Sequence, residues 1–141
     1  MITYVDTSAL IKLLINEPGS DRAGRIWDGA DSLVSVSLVE VEARAALAAA
    51  ERARRITATQ HREAKRSLVD LIEQIEIVEI TAELVTAASD LAEADGLRGY
   101  DAVHLAAALL VGAEVLTTAD ADLAAAAARH GCGVADPTST E

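Results

Sequence analysis

Short apolar runs alternate along this chain with longer stretches in which apolar residues recur at helical spacing. Residues 2–5 read as a buried strand. Thr7 and Ser8 are placed to cap a helix running to about Asn16, which Pro18 and Gly19 stop. A second helix starts at Ser20 or Asp21 and ends near Trp27, and a turn over 28–31 leads into a strand at 32–35. Ser37-Leu38-Val39-Glu40 carries the capping-box pattern and opens a helix to about Arg55. Thr57 or Thr59 opens the next helix, to about Ile75, and residues 77–80 read as a third strand. Thr81 caps a helix over 82–94, and a further helix runs from about Tyr100 to Val111. A fourth strand at 115–117, a helix over 121–130 and a last strand at 133–135 follow, and the tail 137–141 reads as loose.

Strands separated by helices indicate an α/β fold, a parallel sheet between helical layers. No linker or repeat divides residues 1–141, which read as a single domain. Two long helices stand in succession between the second and third strands. They form a hairpin that must project or pack to one side.

Composition narrows the function. Aromatic residues are limited to Tyr4, Trp27 and Tyr100, too few for a surface that stacks nucleobases. The net charge of −11 opposes passive binding of a polyanion. Basic residues are nevertheless concentrated in the hairpin, at Arg52, Arg54, Arg55, Arg62, Lys65 and Arg66, with Glu63 alone opposing them. That run is either a solvated face, a phosphate contact or a docking surface for an acidic partner. Cys132 has no partner for an internal disulfide, which suits a reducing compartment and a buried structural thiol. Asp6 and Lys12 interrupt the first apolar stretch, and no apolar run reaches the length of a membrane span. The expected location is the cytoplasm, with no membrane partner.

The candidate chemistry lies in four acids far apart in the chain: Asp6, Glu42, Asp101 and Asp120. Asp6 follows the first strand and Asp120 the fourth, at the carboxyl ends where open α/β sheets bind ligands. Carboxylates gathered there repel one another unless a cation joins them. An oxygen-only set of this kind suits Mg²⁺ or Mn²⁺ and points to a hydrolase of phosphate esters.

Glu42 shares a helical stripe with Leu38, Val39, Ala45, Ala46 and Ala49, so it should face inward. Alone there, its pKa should rise unless a metal, Arg44, Arg98 or backbone amides compensate. His104 lies one turn after Asp101 and is expected to hold that carboxylate rather than to bind metal. Ser8 and Thr118 are placed to orient a carboxylate or a water, and either hydroxyl could instead be a helix cap. Of Asp120 and Asp122, one should cap the helix after them while the other serves the site. Neither a phosphate-binding glycine loop nor a nucleophile elbow is present in the sequence.

Four segments carry a family resemblance. They are Tyr4-Val5-Asp6-Thr7-Ser8-Ala9-Leu10, Val41-Glu42-Ala43-Arg44-Ala45-Ala46-Leu47, Leu97-Arg98-Gly99-Tyr100-Asp101-Ala102-Val103-His104-Leu105-Ala106 and Leu116-Thr117-Thr118-Ala119-Asp120-Ala121-Asp122-Leu123. In order and spacing the chain resembles PIN-domain ribonucleases, specifically the VapC-type toxins of bacterial toxin–antitoxin pairs. The resemblance implies a five-stranded parallel sheet flanked by helices and a Mg²⁺- or Mn²⁺-dependent endoribonuclease. It assigns Asp6, Glu42, Asp101 and Asp120 to the metal site, with Asp122 as an extra acid. It also implies an RNA substrate (tRNA or another structured RNA), a homodimer, and a VapB-like antitoxin bound in a heterotetramer or larger assembly. Two other functions stay open on the sequence: a non-catalytic PIN-like interaction protein, and a metal-dependent phosphatase or DNA nuclease.

Overall fold

The computed structural model describes residues 1–140. Its elements, in chain order, are β1 (Ile2–Val5), α1 (Thr7–Leu14), α2 (Ser20–Asp28), β2 (Ser32–Val36), α3 (Leu38–Arg52) and α4 (Ala58–Glu73). They continue as β3 (Ile75–Val78), α5 (Ala82–Asp95), α6 (Gly99–Leu110), β4 (Val115–Thr117), α7 (Ala121–Arg129) and β5 (Gly133–Ala135). The strands form one five-stranded sheet in the order β3-β2-β1-β4-β5, parallel throughout. A helical crossover between successive strands makes the parallel arrangement possible.

Strand order reverses at β1. The chain first builds outward through β2 and β3, then returns to add β4 and β5 on the other side. The carboxyl ends of β1 and β4 therefore flank the switch point, where such sheets leave a crevice. Register carries this through to single residues. Val5 pairs with Thr117, and the Asp6 amide donates to the Thr117 carbonyl at 3.1 Å, so Asp6 arrives beside Thr118.

Period-2 alternation sends strand side chains into two cores. Tyr4, Val34, Val36 and Leu116 pack under α5, α6 and α7, while Val5, Leu33 and Ile75 pack under α1, α3 and α4. Helix α6 carries more buried residues than any other helix: Ala102, His104, Leu105, Ala106, Ala107 and Ala108. Its run of alanines lets the helix backbone sit close to the sheet. Buried Cys132 has the structural setting expected of it.

Several local expectations change. The third strand starts two residues earlier than expected, at Ile75, because α4 ends at Glu73 and Ile75 supplies the buried position opposite Leu33. The capping box at Ser37 does not form. Ser37 already has helical dihedrals (φ −57°, ψ −22°), whereas a capping side chain needs an extended residue to reach the helix amides. Thr57 makes a complete capping box with Gln60, and Thr81 caps α5. Helix α3 ends at Arg52 rather than Arg55, where Arg54 takes a positive φ of 60°. The α3–α4 hairpin is anchored by Val39, Ala43, Leu47, Ala50, Ala64 and Leu68, with its tip at 52–55 exposed.

The tail is tied down at its first residue. Pro137 is fully buried, and its carbonyl stands against Gly19, where a Cβ would lie 2.7 Å away. Glu141, also expected in that tail, lies outside the described residues. Among the described residues no helix is long and apolar enough to cross a membrane.

Candidate metal centre

Asp6 stands at the N-cap of α1, 5% exposed, but its side chain does not cap the helix. Its Oδ2 instead accepts from Ser8 Oγ at 2.7 Å and from Thr118 Oγ1 at 2.8 Å. Each hydroxyl accepts a backbone amide in turn: Ala119 N donates to Ser8 and Asp120 N to Thr118. Both hydroxyl protons are therefore committed to Asp6, which leaves Oδ1 facing away from this clasp. Ser8 and Thr118 orient a carboxylate, one of the roles anticipated for them.

Glu42 projects from the first turns of α3, half-buried. The buried stripe of that helix is Val39, Ala43, Leu47 and Ala50, not the one running through Ala45 and Ala49, which are exposed. With alanine on every side, the apolar stripe of α3 is shallow and its centre is hard to locate from spacing. Glu42 Oε1 accepts from Thr7 Oγ1 at 2.8 Å and from His104 Nε2 at 2.6 Å.

His104 is fully buried and serves Glu42, not Asp101. Nε2 must carry a proton, because a carboxylate has none to give. Nδ1 meets the Tyr4 hydroxyl at 2.9 Å. That hydroxyl can donate to the neutral ring or accept from the charged one, so the imidazole is satisfied in both states. Asp6 Oδ1 lies 3.5 Å from Nε2. Burial alone would lower the His104 pKa; the hydrogen bond His104 donates to Glu42 and the charges of Asp6, Glu42 and Asp101 overcome it and raise it. Burial pushes the Glu42 pKa up, but the His104 hydrogen bond and charge, with Thr7, bring it below the ordinary value. The expected rise at Glu42 is thus reversed by a histidine 62 residues away in sequence.

Asp101 lies in the first turn of α6, with Arg98 rather than an acid at the N-cap. Burial first, then the charges of Asp120 and Asp6, hold its pKa above the ordinary value against the opposing pull of Arg98. Asp120 does both tasks that had been divided between it and Asp122. Its Oδ1 caps α7 by accepting from Asp122 N and Leu123 N, and its Oδ2 accepts from Arg98 Nη2 at 3.2 Å. Asp122 is exposed, and its backbone amide is what meets Asp120.

Sequence reasoning missed Tyr4 and Thr7. A tyrosine on a central strand carries a hydroxyl that must find a buried partner, which was the available signal for the first. Arg98 had been considered only as a partner for Glu42; it spans Asp101 and Asp120 instead.

The donors fit a hard divalent cation. They are carboxylate oxygens, with the one nearby imidazole already committed to Glu42 and Tyr4. Among the described residues no group of three or more Asp, Glu, His or Cys side chains is placed to hold a metal ion. A concavity of about 660 Å³ lies elsewhere, along α3 and α4, lined by Val41, Arg44, Ala45, Ala48, His61 and Lys65. Size does not identify the chemical site here; an ion needs donors rather than volume.

Comparison with known proteins agrees with this architecture. A PIN domain match spans residues 3–129. The chain is 44% identical over 136 residues to Ribonuclease VapC45 of Mycobacterium tuberculosis (strain CDC 1551 / Oshkosh), covering 95% of this chain and 94% of that protein. The crystal structure of PAE2754 from Pyrobaculum aerophilum superposes with a TM-score of 0.73 at 25% identity, covering 95% of this chain and 83% of that one. A toxin–antitoxin complex from Klebsiella pneumoniae contains a chain of the same fold, with a TM-score of 0.67 at 20% identity over 96% of this chain and 97% of that one. The chain belongs to the PIN-domain family, among its VapC-type members.

Proposed function

We propose that the protein is a divalent-metal-dependent endoribonuclease toxin whose active centre is formed by Asp6, Glu42, Asp101 and Asp120. The observation that carries this reading is a set of contacts linking these acids in pairs: His104 donates to Glu42 and lies 3.5 Å from Asp6 Oδ1, and Arg98 donates to both Asp101 and Asp120. The ribonuclease name of the 44% identical relative supports RNA as the substrate.

Asp6 Oδ1, Asp101 and Asp120 Oδ2 would hold Mg²⁺ or Mn²⁺. Such an ion, when bound, offsets charge developing on the phosphoryl oxygens and makes water more acidic. Glu42, steadied through Oε1 by Thr7 and His104, keeps Oε2 to orient the attacking water and take its proton. The water oxygen bonds to phosphorus, the P–O3′ bond breaks, the departing 3′ oxygen takes a proton from solvent, and the products carry a 5′-phosphate and a 3′-hydroxyl. No 2′-hydroxyl attack is required. Asp122, exposed at the rim, is an extra acid outside this set.

The partner reading extends to a VapB-like antitoxin, to a homodimer, and to a larger assembly with the antitoxin. Its support is two neighbouring concavities along α3 and α4, which join Val41, Leu68, Val69 and Ile72 to Arg44 and Lys65, with Glu40 and Glu73 beside them. An amphipathic segment suits that combination of apolar floor and charged rim.

The test is an assay of antitoxin-free protein with Mg²⁺ or Mn²⁺ on RNA, DNA and a small phosphomonoester. Internal cuts in RNA alone are expected. Turnover of the phosphomonoester or of DNA, with RNA intact, would assign the same acids to a phosphatase or DNA nuclease. No turnover of any of the three would leave a non-catalytic protein.

A further inference from the structure

The acidic end of the sheet already holds one cation of its own. Arg98 precedes α6, and its side chain reaches across to the start of α7. Nε donates to Asp101 Oδ2 at 3.3 Å and Nη2 donates to Asp120 Oδ2 at 3.2 Å. One planar guanidinium thus spans two carboxylates from different elements, a geometry its rigid fork favours. Position matters more than charge here. Asp120 Oδ1 is engaged by two amides of α7, so Oδ2 is the oxygen left for an ion, and Arg98 sits on it. The arginine side chain is 81% exposed, against 16% for Asp101 and 24% for Asp120. It lies over the acids from the solvent side and is free to swing away.

We infer that Arg98 is a resident counter-cation of the metal-free site, which an incoming divalent ion must displace. This rests on the metal-site reading above. Two carboxylates flanking one gap repel each other when both are ionised, and a cation between them relieves that repulsion. A guanidinium and a divalent ion compete for the same lone pairs on Asp120 Oδ2. An exposed arginine bridge is individually weak, and exposed side chains change rotamer in picoseconds to nanoseconds. Displacement is therefore fast, and its thermodynamic effect is a lower apparent affinity for metal. Arg98 balances the charge of Asp101 and Asp120 without metal and raises the metal concentration needed to displace it.

The experiment is calorimetric titration of Mn²⁺ into antitoxin-free wild type, Arg98→Gln, Arg98→Lys and Arg66→Gln. The last removes one charge from exposed helix surface and controls for net charge. Arg98→Gln should bind Mn²⁺ about tenfold more tightly than wild type, the equivalent of one lost close charge contact. Arg98→Lys, which keeps the charge but loses the two-point fork, should fall between them, and Arg66→Gln should match wild type. Melting supplies a second readout. Arg98→Gln should lower the Tm of the metal-free protein and leave it unchanged at saturating Mn²⁺, because the lost bridge and the tighter binding cancel. Equal or weaker Mn²⁺ binding by Arg98→Gln would overturn the inference. An equal fall in Tm with and without metal would make Arg98 a permanent clamp, and would overturn it too. Absence of Mn²⁺ binding in wild type would instead overturn the metal-site reading, and this inference with it.

Discussion

Asp6 and Glu42, and Asp101 and Asp120, are two pairs within the proposed centre whose carboxylates are held in opposite ways. Asp6 is clasped by two hydroxyls whose own acceptors are satisfied by backbone amides. Glu42 is held by Thr7 and by a buried histidine that is itself anchored on Tyr4. Asp101 and Asp120 have only the exposed Arg98 between them, apart from the oxygen of Asp120 that caps α7. The first pair is arranged before any ligand arrives. The second is where charge balance is incomplete and where a cation can exchange. The proposed metal centre would benefit from both: a fixed edge to aim the chemistry, and a yielding edge to admit the ion.

The pairs should fail differently. Replacing a proposed ligand has the largest effect: Asp6→Asn or Asp101→Asn should lower RNA cleavage by at least about a hundredfold, at or beyond the upper range for outer-shell changes. Both should stay folded by circular dichroism. Full activity in either variant, at limiting and saturating metal alike, would remove that residue from the centre.

The next effect tests the fixed side through a residue that touches no proposed ion. His104→Gln should cut kcat by roughly 10–100-fold while KM changes little, because it frees Glu42 without altering the RNA surface. Tyr4→Phe should be milder in activity and should cost about 1–3 kcal/mol in stability, by leaving His104 Nδ1 unpartnered in a buried site. A kcat for His104→Gln equal to that of wild type would make the histidine purely structural.

The pH dependence of the metal-free protein sharpens the comparison because the two sides have opposite signs. Glu42 has a lowered pKa, so its contribution to stability is present above its unfolded value and is lost as pH falls through its folded value. Asp101 has a raised pKa, so its charged form costs stability at neutral pH, and the cost is relieved as pH falls through its folded value. His104, also raised, contributes fully below its unfolded value and loses that contribution as pH rises through its folded value. Asp101→Asn should therefore raise the Tm of the metal-free protein near neutral pH and have less effect in mild acid. His104→Gln should remove the loss of stability that sets in as pH rises above the unfolded histidine value. Melting curves between pH 4 and 9 check both, and the same sign for Asp101 and Glu42 would contradict the division.

The smallest catalytic effect is expected far from either side. Changing Arg54, Arg55, Arg62 and Arg66 together to Gln should leave cleavage within about threefold, since these residues are exposed and form no ion pair with the four acids. Capture of the antitoxin or the second subunit should fail in the same variant. If RNA affinity falls instead, with log K less steep in log salt by about 0.7 for each lost phosphate contact, the hairpin is an RNA surface.

How much of this could be read from the chain depended on the range of the contact. Asp6 and Asp120 were legible because each follows a short apolar run, and a strand end fixes its own next residue. Thr57 and Thr81 were legible as caps because capping is local. Ser37 had the same local pattern and failed, because β2 runs directly into α3 and leaves that residue helical. The strand at β3 was displaced because Ile75, Ile77 and Ile80 offer two apolar registers, and only pairing of Ile75 with Leu33 selects one. The inward turn of Glu42 was legible, but its histidine was not. His104 has Asp101 as its neighbour in sequence and Glu42 as its neighbour in space, a choice made by how α3 and α6 pack on opposite faces of the sheet.

The claim on which all of this turns is that the four acids form a centre short of a cation. Differential scanning calorimetry of wild type and of the Asp6→Asn, Asp101→Asn double variant, each with and without Mn²⁺, tests it most directly. Binding to the native state alone should raise the wild-type Tm in a saturable way, by several degrees, and the double variant should gain nothing. An equal gain in both proteins would mean that Mn²⁺ acts by general screening of an acidic chain, and would contradict the account.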